Sequence, residues 1–128
     1  MIKVKYLGDE KFSAETRGHT VMTDQPIEKG GSDTGMTPPE LLASSLGTCI
    51  GVYVAPYLKQ IGVDPTGTTV EVEYETANEP RRIGKFRAKV SVPAGIPENR
   101  RAAVHRVAEH CLIHQTLSMA PEIVIEIA

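Results

Sequence analysis

The segment from Thr37 to Gly62 carries the start, the apolar face and the stop of one long helix, and strand-like alternation flanks it on both sides. Thr37 is a good N-cap, Pro38 suits the first helical position, and Glu40 stands three residues after the cap. Leu42, Leu46, Cys49 and Tyr53 recur at i, i+4, i+7 and i+11, which predicts one shared face. Gly47 and Gly51 bracket Cys49 and would let another backbone or helix come close. Pro56 cannot donate to the carbonyl of Val52, so a kink is expected just past Cys49, and Gly62 marks the stop.

Upstream, Ile2, Val4 and Tyr6 alternate with Lys3 and Lys5, and Gly8-Asp9 signals a turn. Phe12, Ala14 and Thr16 then predict the second strand of a hairpin, and residues 19–23 a third short strand. Residues 24–36 form a loop rich in Gly, Asp and Pro. It lacks the Gly-Lys-Ser/Thr ending of a phosphate loop and reads as a connector. Downstream, Val70, Val72 and Tyr74 alternate with Glu71, Glu73 and Glu75. In the next strand Phe86, Ala88, Val90 and Val92 alternate with Lys85, Arg87 and Lys89. An acidic face and a basic face invite cross-strand pairing. Pro97-Glu98 opens a second helix whose stripe is Val104, Val107, Ala108 and Cys111. Glu122 to Ile127 is expected to close the chain as a strand, with Ile123, Ile125 and Ile127 on one face. Mostly hairpin-like strands with few helices define an α+β class, and 128 residues suit a single domain, 1–128.

At 41% hydrophobic and 23% charged residues, a chain of this length buries a real core without needing a structural disulfide or metal. The formal net charge is −2, and the densest basic spots, Arg81-Arg82 and Arg100-Arg101, have no interleaved aromatics. Nucleic acid is therefore not an expected partner. The stretch from Met1 to Asp9 has no apolar signal core, and no unbroken apolar run approaches the roughly 20 residues that span a bilayer. No membrane partner and a cytoplasmic location are expected, where thiols are normally reduced.

That makes the only two cysteines, Cys49 and Cys111, the chemical focus. A single thiol on an apolar stripe is most often a small buried hydrophobe. Two, one on each main helix, can meet if the helices pack. Packed helix axes lie about 8–10 Å apart, and a disulfide needs Cα atoms about 4.4–6.8 Å apart. Burial alone would leave both thiols inert, and Cys49 stands too far along its helix for the dipole to help. A reactive Cys49 needs a positive partner, and Arg17, in Glu15-Thr-Arg-Gly-His19, is the candidate, although alone it reads as a solvated loop charge. Glu40 completes a capping box with Thr37. It lies out of phase with Cys49 and about 13.5 Å along the axis, so it could serve only Arg17 or another subunit's thiol. His110, Cys111 and His114 look like metal ligands, but Cys replaces the Glu of a His-Glu-x-x-His motif. His19, His105 and Cys49 are the only further His or Cys residues, so no metal and no cofactor are expected. A hydrolase using Cys49 with a histidine base is an alternative, although no spacing singles out that base.

These residues together resemble the OsmC/Ohr family of thiol peroxidases. The resemblance rests on Arg17-Gly-His, Asp24-Gln-Pro, Gly30-Gly-Ser-Asp-Thr-Gly, Thr37-Pro-Pro-Glu-Leu-Leu before Cys49, and Ala108-Glu-His-Cys111, and is closest to the short OsmC-like branch. It implies an intertwined homodimer in which antiparallel strands wrap around two central helices, with active sites at the subunit interface. It also implies Cys49 as the peroxidatic cysteine, Cys111 as the resolving one, Arg17 as the activating arginine, an organic hydroperoxide as substrate and an external dithiol as reductant. A non-catalytic redox or small-ligand-binding protein of the same fold is the alternative. Two positions depart from the organic hydroperoxide resistance proteins. Their glutamate ten residues before the first cysteine is Pro39 here, with Glu40 shifted by one, and their Cys-Pro-Tyr-Ser becomes Cys111-Leu-Ile-His114.

Overall fold

In the computed structural model, which describes all residues 1–128, the order of elements is three strands, a long helix, two strands and two short helices. The strands are β1 (Lys3–Gly8), β2 (Lys11–Thr16), β3 (His19–Thr23), β4 (Thr69–Ala77) and β5 (Arg82–Ser91). The helices are α1 (Pro38–Gln60), α2 (Arg101–Glu109) and α3 (Leu112–Ser118). The chain divides into two compact units, Met1–Leu42 and Ala43–Ala128, with the boundary inside the start of α1.

The first unit holds an antiparallel sheet in the order β1-β2-β3. Val4 faces Ala14, Tyr6 faces Phe12, and Ala14 faces Val21, so these apolar side chains share one side of the sheet. Tyr6 and Phe12 pack with their rings tilted at 49° and centroids 5.3 Å apart. That face is exposed within this chain, Val4 at 61% and Tyr6 at 63%. The β2–β3 turn consists of Arg17 and Gly18, with φ of 50° and 82°. Two left-handed residues in succession make the turn whose twist matches paired antiparallel strands.

The connector that follows is organised by one carboxylate. Asp24 is buried and accepts hydrogen bonds from the N–H groups of Gln25 (2.7 Å), Ser32 (3.2 Å) and Thr34 (3.1 Å), and from the Thr34 hydroxyl (2.7 Å). The Thr34 hydroxyl bond, with the backbone donors, lowers the Asp24 pKa to about 2 against the opposing effect of burial. The loop that reads as a passive connector is thus closed on itself around Asp24.

α1 begins and ends as the sequence predicts. The Thr37 N–H and hydroxyl donate to Glu40 Oε1 (3.3 and 2.7 Å), and the Glu40 N–H donates back to Thr37 Oγ1 (3.4 Å). At the other end Val63 N–H reaches the Leu58 carbonyl and Gly62 N–H the Lys59 carbonyl, with Gly62 at φ 79°, a Schellman cap. The helix continues through Pro56. Its buried face is rotated from the predicted one. Leu46, Ile50, Val54 and Leu58 line it at i+4 steps with Ala43 and Gly47, Cys49 sits half-buried on its shoulder, and Leu42 and Tyr53 are exposed. Gly47 permits the close approach of β4: a Cβ there would stand 3.1 Å from Val72 Cγ2. By length and composition α1 is also apolar enough to cross a membrane, contrary to expectation, with mean hydropathy 1.5. Its Leu, Ile, Val, Cys and Ala residues raise that average, while Ser, Thr and Gly interrupt any unbroken aliphatic run.

In the second unit β4 and β5 pair antiparallel with the expected charge opposition, Glu71 facing Lys89, Glu73 facing Arg87 and Glu75 facing Lys85. Their other face (Val70, Val72, Phe86, Val90) packs on the Leu46, Ile50, Val54, Leu58, Val104 and Cys111 core. Two expectations fail here. The second helix ends at Glu109, and Cys111 is the cap of a separate helix, α3. The last residues, 119–128, form no strand: Ile123, Val124, Ile125 and Ile127 are 73–91% exposed. A strand exists only against a partner edge, and no edge in this chain pairs with residues 122–127.

Candidate functional site

The second unit brings the two cysteines together, and both are free thiols. Cys49 is placed by the i+4 packing ladder of α1, which leaves its side chain on the edge of the buried stripe and partly open. Cys111 is fully buried, within the same core cluster that Cys49 packs against.

Cys111 owes its position to a break in the helix. The His110 and Cys111 N–H groups reach back only three residues, to Val107 and Ala108. At Cys111 the backbone turns extended, φ −57° and ψ 137°. Its Sγ then accepts the N–H of His114 at 3.2 Å, so sulfur acts as the N-cap of α3. The stripe Val104, Val107, Ala108, Cys111 still faces the core, because the break changes the direction of the backbone without changing which side is buried. Sulfur is a weak acceptor, and no Gly, Pro, Ser or Asp marks the break, so periodicity alone runs through it.

Burial pushes the Cys111 thiol above the ordinary thiol range. The His114 N–H opposes that shift, and the Cys49 thiol, within hydrogen-bonding reach, adds to it. Cys111 therefore rests as a protonated thiol beside a more accessible one. Such a pair can be joined by oxidation and separated by reduction.

The other predicted residues fall elsewhere. Glu40 is part of the α1 cap, and Arg17 occupies the exposed β2–β3 turn in the first unit. A non-glycine residue held left-handed costs about 1–2 kcal/mol relative to its preferred conformation. His110 Nδ1 is bonded to the Arg106 carbonyl (2.7 Å), and His105 Nδ1 pairs with Glu109 (2.7 Å). No three His, Cys, Asp or Glu side chains gather as a metal site would require. His114 was visible in sequence only as half of a metal motif. Its actual place, three residues after a sulfur cap, is legible only once Cys111 is seen as a cap. Beside it lies a cavity of about 570 Å³ whose walls include Leu46, Ile50, Phe86, Val90 and Val104, a volume suited to a small organic molecule.

An α+β fold carrying a half-buried and a buried thiol in contact defines a dithiol protein. The OsmC-like protein family matches residues 30–126, most of the chain, and the chain belongs to that family. Among solved structures, one from Psychrobacter arcticus 273-4, described as an osmotic stress induced and detoxification response protein, shares 26% identity at TM-score 0.82. That match covers 90% of this chain and 85% of that one. An OsmC-like protein from Mycoplasma pneumoniae matches at TM-score 0.75 and 16% identity, over 94% and 87% of the two chains. An organic hydroperoxide resistance protein from Elizabethkingia anophelis matches at TM-score 0.70 and 15% identity, over 94% and 89%. At such identities the last two establish the fold alone. None of the curated protein sequences matches this chain.

Proposed function

We propose that this protein is a two-cysteine thiol peroxidase that reduces organic hydroperoxides. The observation that carries this reading is the contact between an accessible Cys49 thiol and a buried Cys111 thiol. In the first step the Cys49 thiolate attacks the terminal oxygen of ROOH. The O–O bond breaks, Cys49 becomes a sulfenic acid, and RO⁻ leaves to be protonated to the alcohol. In the second, the Cys111 sulfur displaces hydroxide from the sulfenic acid. A disulfide forms, and the hydroxide takes up the thiol proton as water. An external dithiol then restores both thiols by exchange, which requires a reducing compartment such as the cytoplasm.

A free thiol is only a few per cent ionised at neutral pH, so the first step needs a cation. This reading assigns that role to Arg17, which would stabilise both the thiolate and the departing alkoxide, and gives Glu40 the orienting part of the displaced family carboxylate. The strained turn that holds Arg17 supports a role beyond turn formation, since Gly or Asn would fit there without the penalty. The reading also makes the protein a homodimer. The uncovered apolar side of the β1-β2-β3 sheet and the exposed apolar tail both call for a partner surface, and a second copy offers each.

The test is turnover of cumene hydroperoxide by the reduced protein with a dithiol. Cys49→Ser is expected to abolish it. Arg17→Ala is expected to slow Cys49 oxidation by at least about ten-fold at neutral pH. Turnover that survives Cys49→Ser refutes the assignment.

A further inference from the structure

Disulfide formation makes two demands on one sulfur. In the reduced protein Cys111 Sγ accepts the His114 N–H at 3.2 Å and so starts α3. The Cys49 thiol stands within hydrogen-bonding reach of the same sulfur. Joining the two replaces a contact between sulfurs by a covalent bond about 1.5 Å shorter. One side has to move.

The two sides are unequally held. α1 has 23 residues, and Leu46 and Ile50, on either side of Cys49 in the sequence, are both buried, with Val54 and Leu58 beyond them. α3 has 7 residues, none of them buried. A helix that short does not persist in water by itself. It is tied by the partly buried Ile113 against the core, by Gln115 Nε2 on the Glu109 carbonyl at 2.7 Å, and by the sulfur cap. After it, residues 119–128 form no helix or strand that would anchor its far end.

We propose that α3 is a redox-sensitive segment: closing the Cys49–Cys111 disulfide draws Cys111 Sγ off the His114 N–H, and the uncapped helix loosens together with the chain that follows it. The inference rests on the two-cysteine reading for its disulfide and not for its peroxide. In the peroxidase cycle the oxidant is the Cys49 sulfenic acid. The S–S bond forms, the S–O bond breaks, and hydroxide leaves with the Cys111 proton as water. Reduction by a dithiol returns the sulfur to its cap. Leu117 and Ser118 of α3 border, with Ile83 and Phe86, a cavity of about 310 Å³, and the loosened helix opens that wall in the oxidised form alone. The coupling runs both ways. The cap belongs to the thiol form, so the stability that it lends α3 counts against the disulfide and makes it easier for a dithiol to reduce.

The experiment forms the disulfide without peroxide. Full-length protein is oxidised with diamide, whose N=N bond takes up the two electrons and two protons of the thiols and becomes a hydrazine. Peptide mapping verifies the Cys49–Cys111 bond. Amide hydrogen exchange is then followed residue by residue by NMR in the reduced protein, the oxidised protein, and the oxidised protein after dithiothreitol. The amides of His114, Gln115 and Met119 bond to Cys111 Sγ, the Cys111 carbonyl and the Gln115 carbonyl. Their exchange is expected to accelerate by at least about five-fold on oxidation and to slow again on reduction. The amides of Ile50, Val54 and Leu58 in α1 should keep their rates. Cys49→Ser, which cannot close the bond, should keep slow exchange in α3 after the same treatment. Unchanged or slower exchange in α3 of the disulfide form overturns the proposal, and so does equal acceleration in α1, which marks general loosening. Failure of diamide to close the disulfide removes the proposal and the two-cysteine reading together. If the disulfide loosens α3 but an organic hydroperoxide does not oxidise Cys49, the peroxidase reading alone falls and the proposal stands.

Discussion

The β1-β2-β3 sheet and the β4–β5 ribbon are built from the same alternating code and finished differently. In the ribbon the apolar face lies on the α1 core, with Gly47 letting the helix close onto Val72. In the sheet the equivalent face, with Val4, Tyr6, Phe12 and Val21, is 36–63% exposed. Alternation writes which side of a strand is apolar, and it does not write what covers that side. The contrast separates contacts that stabilise this chain by itself from contacts that await another surface.

The largest expected effect breaks the covered side. Leu58 is fully buried under the ribbon, and Leu58→Ala is expected to cost about 2–5 kcal/mol in urea unfolding. The paired change, Val4→Thr with Tyr6→Thr, keeps β propensity and removes apolar area from the open side. It is expected to weaken self-association by at least about ten-fold in sedimentation experiments, equivalent to about 1.4 kcal/mol, while leaving unfolding of the dilute chain nearly unchanged. Should the double variant unfold as readily as Leu58→Ala, the sheet face is covered from within and the contrast collapses. The smallest effect concerns acid. The Asp24 pKa is about 2 when folded and 3.8 ordinarily. The stability it contributes is therefore full above pH 3.8 and is lost as pH falls through that value towards about 2. Amide exchange at Gln25, Ser32 and Thr34 should accelerate in this window before the Leu46–Leu58 core loosens. Asp24→Asn should show faster exchange at neutral pH and a flatter pH response.

Much of this was legible because the signals are local. The Thr37–Glu40 cap, the Gly62 stop and the opposed charges of β4 and β5 each depend on residues within a few positions or on a hairpin register. The family likeness likewise came from short motifs around Cys49 and Cys111. What escaped was set by distance or by weak chemistry. Asp24 is bonded to residues eight and ten positions away, which no short-range turn rule connects. The rotation of the buried face of α1 follows from where β4 and β5 lie, and helical phase alone cannot choose between adjacent faces. The apolar pattern of residues 122–127 reads as a strand, yet none forms, because a strand needs an edge to pair with. The break at Cys111 was invisible because a sulfur stands where an oxygen would announce a cap.

That sulfur has a practical consequence for dissecting the protein. Cys111 is both a reactant and a joint in the backbone, so removing it with alanine deletes the thiol and uncaps α3 together. Serine keeps an acceptor for the His114 N–H while abolishing disulfide chemistry. The difference between Cys111→Ala and Cys111→Ser thus measures what the sulfur does as architecture, and only the serine variant measures what it does as a reagent.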